Sequence, residues 1–351
     1  MAVRMNKMIK LFVTMMMFVG YSTGIPRKPQ HLTGIPQRGH PVNPVWKEKQ
    51  KYMRDPTRSK YTIMVGCDGM GQLYIENYTH NLPWMSYLIK NGAVHNRTRT
   101  RMPSVSAPNW ATIITGMEPE KSGVYSNDWV PSWSDPANFS VMEMPPATGR
   151  GRIPTPIWSI IKEQTRGHDS FWGPSGMSTA VFHSWPWIEY LVNDDVDYHL
   201  NGNENDTMIM NKAIDHVMHN MTNFMFLHFD QVDEAGHGSY WGSPKYYNAI
   251  RNIDSFLGNL IQALQIKNYW KDTTIFVTAD HGGWGGTHGF FNQACMYVPN
   301  IWCSGKAKQG FNSDRYTTNI DFVPSVLHSL GLLPSSFTHG RVMWEMFDFL
   351  E

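Results

Sequence analysis

Residues 61–71 read YTIMVGCDGMG, an apolar run that stops at an aspartate set between small residues. Seven residues without a charge predict a strand buried on both faces, and Asp68 follows at its C-terminal end. The pattern recurs twice. NFMFLHF (223–229) precedes Asp230 and Asp233, and TIFVTA (274–279) precedes Asp280 and His281. TAVF (179–182) reads as another buried strand, while 79–91, 108–115, 156–165, 206–220 and 245–266 carry helical patterns. Strands alternating with helices predict an α/β domain built on a largely parallel sheet flanked by helices.

Ligand sites in open α/β sheets gather beyond the C-terminal ends of the strands, where all these acidic residues fall. Burying a lone charge costs several kcal/mol, so such carboxylates must be solvated, paired or bound to metal. The motifs Asp68-Gly-Met-Gly, Asp233-x-x-x-His237 and Asp280-His281-Gly-Gly contain no basic partner, and His288 trails in GGTHGF. Oxygen and nitrogen donation is what they share. Mixed Asp and His ligands suit zinc first, with manganese, iron or cobalt open, whereas an all-oxygen set would point to calcium or magnesium. Asp230 reads either as an outer carboxylate orienting a histidine or as a solvated strand-end residue, and stays outside the ligand set.

The segment RMPSVSAPNWATIITG (101–116) places Pro108 in the first turn of a helix, with Ser106 and Asn109 close to its N-terminus. Exposed amides and the positive end of the helix dipole there favour an oxyanion or a phosphate. A serine in this place is often only a helix cap. Beside the ligand candidates it reads as a nucleophile.

Together these motifs resemble the nucleotide pyrophosphatase/phosphodiesterase (type I phosphodiesterase) family of the alkaline phosphatase superfamily. The resemblance implies a three-layer alkaline-phosphatase-like fold with its metal site at the strand ends. It also implies two divalent ions, zinc first, one held by Asp68, Asp280, His281 and the Ser106 oxygen, the other by Asp233, His237 and His288. Ser106, standing where relatives usually carry threonine, would attack phosphorus and form a phosphoserine. Asn109 would donate to a phosphoryl oxygen. Ser122, in PEKSG, departs from the histidine that many relatives carry before that glycine.

The implied substrate is a small phosphodiester or nucleotide. Sulfatases carry an arginine two residues after the proline of the nucleophile motif, which Ser106-Ala-Pro-Asn lacks. Phosphomonoesterases grip a dianion with arginine, and an asparagine suits a singly charged diester better. Monoester hydrolysis, phosphonate hydrolysis and an inactive binding protein on the same fold remain the alternatives. A net charge of +1 with no basic block argues against binding to duplex nucleic acid.

At the N-terminus Arg4, Lys7 and Lys10 precede the apolar run 11–21 and the small residues Ser22 and Gly24, which reads as a secretory signal peptide over 1–24. An extended segment over 25–60 and a catalytic domain over 61–351 follow. No 18-residue apolar stretch predicts a membrane span. The Asn-x-Ser/Thr triplets at Asn77, Asn96, Asn138, Asn205 and Asn220 accord with a secreted glycoprotein. Of three cysteines, Cys67 reads as a buried thiol, and Cys295 and Cys303 are candidates to pair. Trp129, close to Asn127, is the tryptophan best placed for a substrate-pocket wall; core packing is the default for the others.

Overall fold

The computed structural model describes residues 58–134, 154–167, 172–336 and 338–348. The expected leader, most of the segment 25–60 and the Asn138 triplet lie outside the described residues. Strands β1 (Tyr61–Cys67), β2 (Gly92–His95), β3 (Thr179–His183), β4 (Tyr198–Asn201), β5 (Phe224–Phe229), β6 (Thr273–Thr278), β7 (Asn300–Cys303) and β8 (Phe311–Ser313) form one sheet. Its order is β4-β3-β5-β1-β6-β7-β2-β8. Every pairing is parallel except those of β7, which runs against β6 and β2. The predicted largely parallel α/β fold is thus present.

β1 lies near the centre of the sheet, and all of its residues are buried, as its unbroken apolar run requires. Cys67 pairs with Phe229 of β5, and Gly66 with Thr278 of β6. That register aligns the strand ends, so Asp68, Asp230 and Asp280 emerge on one rim of the sheet. His183, the last residue of β3, is level with His228 of β5 on the same side.

Among the described residues, the α-helices longer than one turn are α1 (Gln72–Tyr78), α2 (Pro83–Asn91), α3 (Ser106–Thr115), α4 (Ile157–Thr165), α5 (Asp206–His219), α6 (Gln231–Ser239), α7 (Pro244–Ile266) and α8 (Phe322–Ser329). The single helix predicted over 79–91 is instead a short turn at Thr79–Asn81 followed by α2. Pro83 opens α2 at its first turn, where the missing N–H costs nothing. α6 carries no apolar periodicity and two glycines, and the sequence pattern did not predict it. α7 buries one stripe, including Ile250, Ile253, Leu257, Leu260 and Leu264, against the sheet and its helical layer.

The candidate pairing of Cys295 with Cys303 is not present: all three cysteines are buried free thiols. Cys303 ends β7, while Cys295 lies in the turn Gln293–Met296 beside the rim.

Candidate metal centre and nucleophile

Asp68, Asp280 and His281 are buried, and their ligand atoms lie within 4.8 Å of one another. His281 Nε2 is 3.5 Å from Asp68 Oδ1 and 3.2 Å from Asp280 Oδ2. A second group, Asp233, His237 and His288, converges equally closely, with His237 Nε2 3.3 Å and His288 Nε2 4.0 Å from the Asp233 carboxylate. These are the residues expected from the sequence in the two sets, apart from the Ser106 oxygen expected in the first. Helix α6 explains two of the three residues of the second one, because Asp233 and His237 are four residues apart and so share a face.

Each histidine is oriented the same way. His281 Nδ1–H donates to the Gly282 carbonyl (2.8 Å), His237 Nδ1–H to that of Gly286 (3.0 Å) and His288 Nδ1–H to that of Ser104 (3.1 Å). With the proton fixed on Nδ1, all three Nε2 lone pairs face the shared space, the arrangement that metal-binding histidines require.

The carboxylates follow a matching rule. Asp68 Oδ2 accepts from Trp110 Nε1 (2.7 Å) and Asp280 Oδ1 from the Gly69 amide (3.1 Å). Their other oxygens, Asp68 Oδ1 and Asp280 Oδ2, have no hydrogen-bond partner in the protein, and neither has Asp233 Oδ1. Buried acceptors left without donors cost about 1–3 kcal/mol each, more when charged, unless something cationic meets them. These orphaned oxygens and aligned imidazoles fit divalent cations.

Electrostatics agree. Burial drives Asp68 up to about 6 and Asp280 well above the carboxylate range, with the neighbouring carboxylates Asp68 and Asp233 raising Asp280 further. His281 is pushed down to about 3 by burial and by His288. Crowded carboxylates beside neutral imidazoles are unfavourable alone and favourable around a cation. Asp230 and His228 adjoin the first group, their ligand atoms within 4.8 Å of Asp68. Burial and the surrounding carboxylates raise Asp230 to about 9. His228 was hidden from sequence reading inside an apolar strand.

The turn after β1 is packed tightly enough to demand glycine. Gly69 has φ +67°, and a Cβ there would lie 2.6 Å from Asp233 Oδ1. Its carbonyl accepts from Trp241 Nε1 and the Tyr246 hydroxyl, both at 2.9 Å. α6 is fixed from the other side, where the Asp206 carboxylate accepts from the amides of Asp230 (3.0 Å) and Gln231 (2.9 Å).

Ser106 is the first residue of α3, not its cap: the cap is Val105. Its Oγ lies 3.2 Å from His281 Nε2, facing the first group. Asn109, the expected phosphoryl donor, is corrected by the structure. Its Nδ2 donates to the carbonyls of Arg101, Pro103 and Val105. Its Oδ1 receives Thr100, Arg101 and Asn319. An amide saturated in this way has no hydrogen left for a substrate. Asn127 occupies the useful place, exposed and accepting with Oδ1 from the Ala107 amide at the start of α3 (2.8 Å). Tying down its oxygen leaves the NH2 end as the available donor beside Ser106. No spacing marked it, since asparagine in a turn is ordinarily structural.

Trp129 is fully buried, with its ring 5.8 Å from that of Trp187, whose Nε1 donates to the Trp129 carbonyl. It packs in the core instead of presenting an open wall. Ser122 is buried too, and its hydroxyl serves the local turn by accepting from the Val124 amide.

The fold and site define an α/β protein with paired Asp/His ligand groups beside a helix-borne serine. The model of the type I phosphodiesterase / nucleotide pyrophosphatase family matches residues 62–290, and the chain belongs to that family. Ectonucleotide pyrophosphatase/phosphodiesterase family member 3 of Mus musculus is 26% identical over 221 residues, 63% of this chain and 24% of that protein. Bis(5'-adenosyl)-triphosphatase ENPP4 of Homo sapiens is 22% identical over 222 residues, 63% of this chain and 47% of that protein. The chain therefore spans a quarter to about half of the length of these relatives. The structure of inactive murine ectonucleotide pyrophosphatase/phosphodiesterase 5 with AMP superposes with a TM-score of 0.63 at 19% identity, covering 82% of this chain and 98% of that one. The human form of that protein gives 0.64 at 16% identity, over 81% and 98%. At these identities the likeness establishes the fold.

Proposed function

We propose that the chain is a metal-dependent phosphodiesterase or nucleotide pyrophosphatase in which Ser106 attacks phosphorus. The observation that carries this reading is the convergence of two Asp/His groups, each with an orphaned carboxylate oxygen, beside the N-terminus of α3, where Ser106 Oγ faces His281. Asp68, Asp280, His281 and Ser106 would hold one ion, zinc first, and Asp233, His237 and His288 the other. Bound there, the ions would lower the pKa of the serine hydroxyl and offset negative charge on the leaving oxygen.

The protein's own groups supply the rest. Ser106 Oγ forms the bond to phosphorus as the bond to the leaving oxygen breaks, and water later attacks that phosphorus, breaking the P–Oγ bond, freeing the phosphoryl product and restoring the Ser106 hydroxyl. The N-terminus of α3 and Asn127 Nδ2 stabilise charge developing on a non-bridging oxygen. A neutral asparagine, Asn127, in place of an arginine at the start of α3 supports a singly charged diester over a dianionic monoester. The structural relative with AMP bound supports a nucleotide as the substrate class.

Secretion and glycosylation belong to the same proposal. No helix among the described residues is long and apolar enough to cross a membrane. Asn77, Asn205 and Asn220 are exposed; Asn205 Oδ1 also caps α5, and Asn96, half-buried, donates to Asn312.

The test compares a bis-aryl phosphate diester with the aryl monoester, with and without chelator, in wild type and Ser106→Ala. Expected are a strong diester preference, loss of turnover on chelation and a large loss in the variant. Faster monoester or sulfate-ester cleavage overturns the diesterase reading, and full activity in Ser106→Ala overturns the nucleophile.

A further inference from the structure

Across β5 from β1, on the same rim of the sheet, three more ligand atoms meet. His183 ends β3, Glu189 lies in the helical turn Pro186–Leu191, and His199 belongs to β4, the edge strand of the sheet. His183 Nε2 and His199 Nε2 are 2.9 Å apart, and Glu189 Oε2 is 3.4 Å from the first and 3.2 Å from the second. We infer that His183, Glu189 and His199 form a further binding site for a divalent transition-metal cation, zinc first, separate from the two groups beside Ser106.

Ligand chemistry is the first argument. Two imidazoles and a carboxylate make a donor set that suits zinc, with an open fourth position when only three protein ligands are present. A tetrahedral ion bound at about 2.0–2.1 Å holds its ligand atoms roughly 3.3 Å apart, so the observed triangle needs adjustments of only tenths of an ångström. The near-coplanar rings, 12° from parallel, already turn their Nε2 edges toward each other.

Proton accounting is the second. His183 is fully buried, and its Nδ1–H donates to the Trp185 carbonyl (2.8 Å), which leaves a lone pair on Nε2 aimed into the cluster. That is how the three histidines of the paired groups are set. Without a cation, the single proton that His199 Nε2 can carry must go either to His183 or to Glu189. The remaining pair then has no proton between its two facing atoms, although Glu189 Oε2 also accepts from Asn201 Nδ2 (3.4 Å). One divalent ion satisfies all three atoms at once.

Position gives the site a role. Its ligands come from β3, the turn after it and β4, so a bound ion clips the short edge strand and that turn to the sheet. Glu189 is 44% exposed, which leaves a route for the ion and a place for water as the fourth ligand. The inference stands independently of the proposed phosphodiesterase activity, because it uses none of those residues.

The experiment uses the full chain supplied with stoichiometric excess of zinc and then freed of loosely held metal. Anomalous scattering at the zinc edge should place a peak among His183 Nε2, His199 Nε2 and Glu189 Oε2. Elemental analysis should find one zinc fewer per chain in His199→Ala and in Glu189→Gln than in wild type. Glu189→Gln keeps size and shape, so it reports even where the histidine variant fails to fold, and the peak in wild type needs no variant at all. A map without density at the triangle, whether or not the paired groups fill, overturns the inference and leaves a His–His hydrogen bond. Filling only at millimolar zinc overturns it as well.

Discussion

The imidazoles of His281 and His288 lie face to face, 3.8 Å between centroids and 21° from parallel, although one belongs to the first ligand group and the other to the second. The two groups therefore share a wall. His288 is one reason His281 stays neutral, since a charge on either ring opposes a charge on the other.

Replacing His288 with alanine should consequently affect both groups. The second group loses a ligand, and the His281 ring loses the surface it rests on. Diester turnover should fall by at least the roughly 10–100-fold that loss of an outer partner alone costs at metal sites. Zinc retained after dialysis should fall with it. Unchanged zinc content and unchanged kcat/KM would show that His288 is not a ligand.

The two asparagines near Ser106 should behave in opposite ways. Asn127→Ala removes an exposed donor and the acceptor of the Ala107 amide, so stability should fall by only about 1 kcal/mol while kcat drops on the order of 100-fold, as for an oxyanion donor. Asn109→Ala empties a buried junction that ties three loop carbonyls to Thr100 and Asn319, and should cost about 1–3 kcal/mol of stability. Kinetics at fixed temperature and a denaturant titration separate them. A stable Asn109→Ala protein with low kcat would return the donor role to that residue.

This pair shows where the sequence was readable and where it was not. Asp68, Asp280 and His281 follow strands whose apolar runs are long enough to identify, so their place on the rim could be inferred before any fold was known. Asp233 and His237 were legible by motif, though the helix that holds them was not, because QVDEAGHGS has no apolar stripe. β2, β4, β7 and β8 have only three or four residues, too few to show a period. Asn109 sat in the conspicuous motif and Asn127 in a turn, and only three-dimensional hydrogen bonding shows which amide is already spent. His183, Glu189 and His199 come together through the pairing of β3 with β4, which no local pattern announces.

Stability should depend on pH in a way that chelation exposes. In chelated protein, burial holds Asp68 at about 6 and Asp230 at about 9, and the Asp233 hydrogen bond holds His237 at about 8. All three values are raised, so each contribution is complete below the unfolded pKa and is lost as pH climbs through the folded one. His281 and His228, lowered by burial to about 3, act oppositely: their contribution is present above about 6.5 and is lost toward pH 3. Of these groups, Asp230 and His237 still titrate between about pH 7 and pH 10, whereas Asp68 has lost its proton by then. The Tm of chelated protein should therefore fall across that interval, and that of zinc-loaded protein should fall less. A Tm that rises with pH after chelation contradicts the assignment.

Asp206 offers a test of positioning without touching a ligand. Its carboxylate receives the amides of Asp230 and Gln231 at the start of α6, and so sets the end of the helix that carries Asp233 and His237. An acidic group there satisfies orphan donors and opposes the helix dipole. Asp206→Ala should cost about 1 kcal/mol of stability, as loss of a cap does. It should also weaken zinc at the second group roughly 10–100-fold, the effect of losing an outer partner. Asp206→Asn keeps an accepting oxygen and should recover much of both. Zinc titration against a competing chelator reads the affinity, and a melt reads the stability. If Asp206→Ala lowers Tm but leaves zinc affinity at the wild-type value, Asp206 only caps the helix, and the position of Asp233 and His237 is set elsewhere, by the close contact with Gly69.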